Sequence, residues 1–262
     1  MQARHYNRKR YFDEQDRTTA KYVIPYISDV MDITPETSVL EIGCGEAGNL
    51  KPFLDMGCKR VVGIDIGEQR IANGKLFFEG HPNRQNLELI AKDIYLVEDI
   101  EEFDIIITRD VIEHIPNQEL FMKKCRDFMK PKGVFFIGFP PWYNPFGGHQ
   151  QVLENKFFSK VPYFHIIPRF MYKGFLKLIG ETDGKIRSML EIYDTRITID
   201  RLNRILKTNN YSILKKTDYL INPNYETKFG LKPRKQIGLI SSIPFFRNFL
   251  ITASYYLVRA NK

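Results

Sequence analysis

The stretch Val39-Leu40-Glu41-Ile42-Gly43-Cys44-Gly45-Glu46-Ala47-Gly48-Asn49 decides how this chain is read. A short apolar strand runs into three glycines, and a helical pattern follows from Asn49 to Met56. Glycines at such a turn let the backbone bend sharply and approach a ligand with no side chain in the way. The N-terminus of the helix that follows offers its free N–H groups to whatever lies there. Asp65 stands twenty residues after Gly45, at the end of a second apolar run, Val61 to Ile64. That is where a carboxylate reaches a ribose in a nucleotide-binding βαβ unit. The pattern predicts a nucleotide-cofactor site.

Gly43-x-Gly45-x-x-Gly48 also satisfies a dinucleotide fingerprint, but Glu41 argues against it. A carboxylate just before the glycine turn would repel a pyrophosphate, whereas it suits a ligand carrying an ammonium and a sulfonium. The E-x-G-x-G pattern resembles the first motif of the class I S-adenosylmethionine (SAM) methyltransferases. The resemblance continues in order. Val61 to Asp65 is similar to the ribose motif, Lys92-Asp93-Ile94 to the adenine motif, and Phe103 to Ile107 with Asp110-Val111-Ile112-Glu113-His114 to the fourth-strand segment. Met129 to Val134 is similar to the turn before the fifth strand. Five motifs thus cover residues 39 to 139.

The resemblance implies SAM as cofactor. Glu41, Gly43, Cys44 and Gly45 would lie along its methionine part, and Asp65 would accept the ribose hydroxyls with Ile66 against the adenine. Asp93 and Ile94 would meet the adenine amine and ring, and the main chain at Arg109 the ammonium. Tyr11 and Arg17 would close over the cofactor from the N-terminal segment. For the acceptor side, Glu113, His114 and His149 are the candidate catalytic residues. Asp110, Glu113, His114 and His149 together are a candidate divalent-cation set, since two carboxylates and two imidazoles suit such an ion and would lower an acceptor hydroxyl's pKa. This resembles the metal-dependent O-methyltransferases of small-RNA 3′ ends and quinone precursors. Asp110 departs from that pattern, standing where an acid of Glu length is usual. Without a metal, His114 or His149 would serve alone as general base. Glu113 and His114 also suit a plainer role, opening a helix and shaping the pocket.

Strands are expected at 38–43, 61–65, 87–91, 103–109, 133–139, 211–220 and 254–260, with helices at 47–57, 68–79, 117–130 and 198–208. Alternation of this kind predicts an α/β, doubly wound parallel sheet. The family order is 3-2-1-4-5-7-6, with the last strand antiparallel. We divide the single domain into an N-terminal helical cap (1–36), a SAM-binding core (37–140), an aromatic lid insertion after strand five (141–197) and a C-terminal helix and hairpin (198–262). The insertion holds ten aromatics between Trp142 and Phe175. They suit either the core of a small helical subdomain or a wall for an apolar substrate. Ile243 to Leu250 reads either as an interfacial helix or as core.

Residues 1–150 carry 19 Lys and Arg against 23 Asp and Glu, a net −4, whereas residues 151–262 carry 20 against 8, a net +12. A basic half points to an anionic small-molecule substrate, an anionic membrane surface or nucleic acid, or else is a solvated face. No recognisable RNA-binding module is present, which weighs against nucleic acid. Three cysteines without metal spacing suit a reducing cytoplasm. The basic Met1 to Arg10 leads into acids with no apolar core, unlike a signal peptide, and no apolar run has transmembrane length. The expectation is a cytoplasmic SAM-dependent methyltransferase of a small hydroxylated or anionic acceptor, such as a sugar or lipid-linked intermediate, with peripheral membrane contact compatible with it. The competing readings are an RNA 2′-O-methyltransferase, a non-catalytic SAM-binding protein and, disfavoured by Glu41 and Asp93, an NAD-dependent oxidoreductase.

Overall fold

Apolar residues in the first strands alternate between two hydrophobic layers, which makes the sheet doubly covered. Leu40, Val62, Ile64, Ile106 and Phe135 face one buried cluster. Val39, Val61, Ile105, Ile107 and Phe136 face another. Period-two alternation places successive side chains on opposite faces. When both faces are apolar, helices must cover both. The computed structural model describes residues 7–98 and 100–261; the start of the expected cap, residues 1–6, lies outside them.

The strands are β1 Ser38–Ile42, β2 Arg60–Asp65, β3 Leu87–Ala91, β4 Phe103–Arg109, β5 Met129–Phe139, β6 Tyr211–Ile221, β7 Arg234–Lys235 and β8 Ala253–Ala260. They form one sheet in the order β3-β2-β1-β4-β5-β8-β6-β7. β1 to β5 pair in parallel, and β8 lies antiparallel between β5 and β6. This is the expected 3-2-1-4-5-7-6 order, with β8 as its final strand. The sheet has eight strands rather than seven because the two-residue β7 pairs with the free edge of β6. Its Arg and Lys are exposed, as suits a protected sheet edge.

The helices are α1 Arg8–Thr18, continued by a π-helical turn Thr19–Val23, then α2 Ile24–Ser28, α3 Lys51–Asp55, α4 Glu68–Phe77, α5 Gln118–Asp127, α6 Arg169–Leu178, α7 Asp183–Thr195, α8 Ile199–Thr208, α9 Asn224–Phe229, α10 Gly238–Ser242 and α11 Arg247–Leu250. Phe121 of α5 and Leu202 of α8 join the first cluster. Phe12 of α1, Phe53 of α3 and Ile71 of α4 join the second. Two helical expectations are corrected. The helix after the glycine loop is limited to α3, because Ala47 adopts φ 65° before it and Gly57 φ 78° after it. The stretch 243–250 is helical only over Arg247–Leu250. Pro244 and the left-handed Phe245, at φ 63°, interrupt it. No helix among the described residues is long and apolar enough to cross a membrane.

After β5 the chain leaves the sheet and returns at Ile197, whose carbonyl accepts from Trp142 N at 2.7 Å. Between these points it builds its own cluster, with Trp142, Tyr172, Leu176, Met189 and Tyr193 buried together. Most of the aromatic content of this insertion is thus packing, with Phe157 and Phe170 left exposed.

Candidate active site

The glycine loop is tied to the neighbouring strand by two bonds, Gly43 N and Cys44 N both donating to the carbonyl of Ile64 at 2.8 and 3.1 Å. Gly45, at φ 57°, has nothing within 4 Å of where a Cβ would stand, so its face is open to a ligand. Gly48 serves a different purpose, since a Cβ there would lie 2.4 Å from the carbonyl of Phe12. The third glycine of the motif therefore admits α1, not a cofactor. The Cys44 side chain is buried in the second core cluster, leaving only its backbone to face a ligand.

Asp65 joins two loops. Its Oδ2 accepts from Gly45 N at 2.8 Å, and its Oδ1 accepts from Gly67 N and Arg70 Nη2, both at 2.7 Å. Ile66 beside it is 72% exposed, an open apolar face of the kind a purine ring needs. Asp93 is exposed and caps the following turn by accepting from Tyr95 N at 3.0 Å. Ile94 is buried in the core beneath.

Glu41 is buried. Asn49 Nδ2 donates to its Oε1, while Oε2 has no partner. Burial pushes its carboxyl up to about 8, opposed by the bond from Asn49 and the charge of Arg109. A buried acid with one unsatisfied oxygen fits a cationic ligand, whose approach would restore its ionised form. Arg109 Nη1 donates to Thr19 Oγ1 at 3.0 Å, and that hydroxyl donates to Asn49 Oδ1 at 2.9 Å. Arg109, Thr19, Asn49 and Glu41 thus form one chain from the π-helical turn to the glycine motif. Arg8 adds a second clasp, a two-pronged pair with the buried Glu46 whose Nε reaches Oε1 at 2.6 Å. Of the two cap residues expected at the site, Tyr11 lines the adjoining cavity. Burial and then the charge of Asp110 raise its phenol to about 12, keeping it a neutral donor. Arg17 is exposed near the end of α1 and is not among the residues lining that cavity.

That cavity, of about 740 Å³, opens at the carboxyl ends of β4, β5 and β6, the edge where open α/β sheets bind ligands. Asp110 turns the chain out of β4 at φ 56°, a conformation Asp tolerates better than most residues. Glu113 and His114 follow in a single 3-10 turn. Thr195 at the end of α7 donates to the Glu113 carbonyl, fixing that turn from the insertion side. His149 comes from a loop made tight by glycines: a Cβ on Gly147 would lie 1.9 Å from the Trp142 carbonyl, and one on Gly148 2.3 Å from His165 Cβ. His165 holds the loop by donating from Nε2 to Trp142 O at 2.8 Å and accepting at Nδ1 from Gln150 Nε2 at 3.2 Å. Burial lowers its pKa to about 4, so it stays neutral.

Glu113, His114 and His149 converge. Their ligand atoms lie within 4.8 Å of one another. His149 Nε2 stands 4.0 Å from Glu113 Oε1, and the two imidazoles are 5.2 Å apart edge to face. Both Glu113 oxygens are buried without a hydrogen-bond partner. Burial, then the neighbouring charge of Asp110, raises its pKa well above the usual carboxylate range. Packing around His114 lowers its pKa, although the ring remains open to solvent through the cavity. An orphaned buried carboxylate beside two imidazoles fits a divalent cation. The four-residue expectation is corrected to three, because Asp110 lies outside the group and its Oδ2 instead accepts from Asn224 Nδ2 at 3.2 Å. Aspartate is one methylene shorter than the glutamate usual there, and it lines the same cavity without joining the group.

Residues 40–135 match a family model described as a methyltransferase domain. The ubiquinone biosynthesis O-methyltransferase of Rhodopseudomonas palustris strain TIE-1 is 34% identical over 102 residues, 38% of this chain and 38% of that protein. The match thus spans well under half of the relative's length. Among solved structures, the magnesium protoporphyrin IX methyltransferase of Synechocystis PCC 6803, with SAH bound, superposes with a TM-score of 0.57 at 13% identity, covering 99% of this chain and 95% of that one. The geranyl diphosphate C-methyltransferase of Streptomyces coelicolor gives 0.59 at 10% identity, covering 91% and 78%. These likenesses carry the fold from end to end, and the sequence match falls on the glycine loop and the strands around it. Residues 40–135 thus carry a methyltransferase domain, and the whole chain shares the fold of these solved methyltransferases.

Proposed function

We propose that this protein transfers a methyl group from SAM to a hydroxyl of a small acceptor that carries an anionic group. The observation that supports this most is the convergence of Glu113, His114 and His149 in a cavity at the sheet edge that holds the glycine loop. A cavity of about 740 Å³ has the size of a small-molecule site. The related proteins named for ubiquinone biosynthesis support hydroxyl over other acceptor atoms. Lys156 and Lys160 of the insertion and Lys228 of α9 line the same cavity, which is the basis for an anionic acceptor. An acceptor of this kind would also accommodate contact with a membrane surface.

SAM supplies an already activated methyl group, so the chain need only position, desolvate and deprotonate. In this reading the open Gly45 face and the unsatisfied Glu41 oxygen take the methionine part, and Asp65 turns toward the ribose as Arg70 gives way. Where no cation is bound, His114, whose packing favours the neutral imidazole, accepts the acceptor's hydroxyl proton. Glu113, His114 and His149 would hold a divalent cation, which when bound would lower the pKa of that hydroxyl. The insertion over residues 141–197 shelters the reacting groups from water.

Calorimetry with SAM and with NAD tests the cofactor half; NAD binding without SAM binding would sink the proposal. Transfer of labelled methyl to a panel of phenolic, sugar and lipid-linked acids, with and without chelator, tests the other half. His149→Ala is expected to abolish transfer and manganese binding while leaving SAM affinity unchanged. Loss of SAM affinity as well would mean that the loop supports the fold rather than the chemistry.

A further inference from the structure

From Thr227 to Asn261 the chain contains no Asp or Glu, yet Lys228, Lys232, Arg234, Lys235 and Arg247 fall within its first 21 residues. The same part of the chain, from Phe229 to Leu250, leaves eight large apolar side chains exposed, among them Ile237, Leu239 and Phe246 at 60%, 73% and 66%. Apolar side chains scattered singly over a surface are ordinary, but a dense run of them within one segment marks a binding surface.

This segment is anchored, so its exposure belongs to a fixed arrangement. Asn248 is buried and donates from Nδ2 to Asp200 Oδ2 at 2.7 Å, and Arg247 pairs with the same carboxylate. Gln236 Nε2 donates to Leu250 O at 2.7 Å, drawing the ends of the segment together. Phe249 stacks on Tyr143 of the insertion, ring centroids 5.0 Å apart. With these residues turned inward, Leu239 and Phe246 are turned out. The segment also reaches the cavity, because Phe229 and Leu231, both about half exposed, line it. Lys156 and Lys160 of the insertion line the same cavity, and Phe157 between them in sequence is 72% exposed.

We propose that residues 229–250 dock this protein on an anionic lipid surface, bringing the cavity to acceptors held there. Charge complementarity selects this occupant: Arg247 is paired with Asp200, but the exposed Lys232, Arg234 and Lys235 are attracted to anionic headgroups, and Leu and Phe side chains beside them enter the acyl boundary. The docking itself is independent of catalysis; only the delivery of acceptor rests on the proposed reaction.

The test is co-sedimentation of the full chain with vesicles of phosphatidylcholine, alone and mixed with phosphatidylglycerol. Binding is expected to the mixed vesicles only, and to weaken as salt is raised. Arg234→Glu with Lys235→Glu should weaken it at least about tenfold, from the attraction each basic residue contributes near such a surface. Leu239→Ser with Phe246→Ser should weaken it comparably while the circular dichroism spectrum stays that of the parent. Absence of binding to the anionic vesicles, or binding untouched by both double variants, would overturn the proposal. So would a concentration-dependent dimer abolished by the serine variants, which would assign the patch to a second copy of the chain. Vesicle binding with no SAM binding by calorimetry would support the docking surface and overturn the methyltransferase reading instead.

Discussion

Replacing Glu41 by Gln should make the protein more resistant to unfolding at neutral pH while weakening its hold on SAM. Burial holds the Glu41 carboxyl at about 8 in the folded chain against an ordinary value of 4.5. Below pH 4.5 it is protonated in both folded and unfolded chains, and its favourable contribution is complete. As the pH rises, the unfolded chain ionises first, so stability drains away until the folded pKa is reached. Each unit of displacement corresponds to about 1.4 kcal/mol, so the full loss approaches about 5 kcal/mol by pH 8. Glutamine keeps the bond from Asn49 through its carbonyl and does not titrate. Urea unfolding at pH 5, 6, 7 and 8 should show the parent losing about 1.4 kcal/mol per unit relative to Glu41→Gln, levelling off near pH 8. Calorimetry at pH 7 should show SAM binding to the parent with release of a proton, and weaker binding to the variant without it. Parallel stability curves would refute the reasoning, because they would mean that Glu41 is already ionised in the folded state.

Asp65→Ala should weaken SAM binding by about 1.5–3 kcal/mol, the range for hydrogen bonds to a charged group; unchanged affinity by calorimetry would remove Asp65 from the ribose site. Manganese should bind more tightly as pH rises and should displace protons, since burial holds the Glu113 carboxyl's pKa well above the usual carboxylate range and ligands must be deprotonated to bind a metal. Titration in buffers of different ionisation enthalpy measures that release, and a buffer-independent heat would count against the site. Gly147→Ala should open the His149 loop, because the added methyl would overlap the Trp142 carbonyl; manganese affinity is expected to fall at least about tenfold with SAM affinity retained. Hydrogen exchange over residues 141–197 should slow when SAH and acceptor bind together, whereas full protection in the free protein would mean that the insertion is a fixed subdomain.

The sheet was legible because its information is local: apolar runs ending in glycine or acid, separated by helical spacing, dictate parallel strands and the edge where ligands lie. Glu113, His114 and His149 could be brought together on paper because β4 and β5 are neighbours and each residue follows its strand's carboxyl end. What holds them there was hidden. His165 and Gly147 act through contacts formed only once the insertion has folded back. The path from Arg109 through Thr19 to Asn49 spans 90 residues of sequence between its first two members. Polar residues in such paths carry no periodic signature. Asp110 was misassigned because its chemistry was right for a ligand, and only the folded chain shows its shorter carboxylate held by Asn224 and apart from the other three. The third glycine of the motif fits both a ligand loop and a packing contact, and only the position of α1 distinguishes them.

The hydrogen bond from Trp142 N to Ile197 O brings the two ends of the insertion together. The closure cost of a loop grows only slowly with its length, and this one carries its own apolar cluster. To the sheet, then, the 57 residues of the insertion weigh little more than a short turn. The roof over the acceptor can change in length and chemistry without disturbing the strands that present the glycine loop. Exchange of stretches within 141–197 that keeps His149 and Thr195 is therefore a practical route to new acceptors, with the Trp142–Ile197 contact as the natural seam.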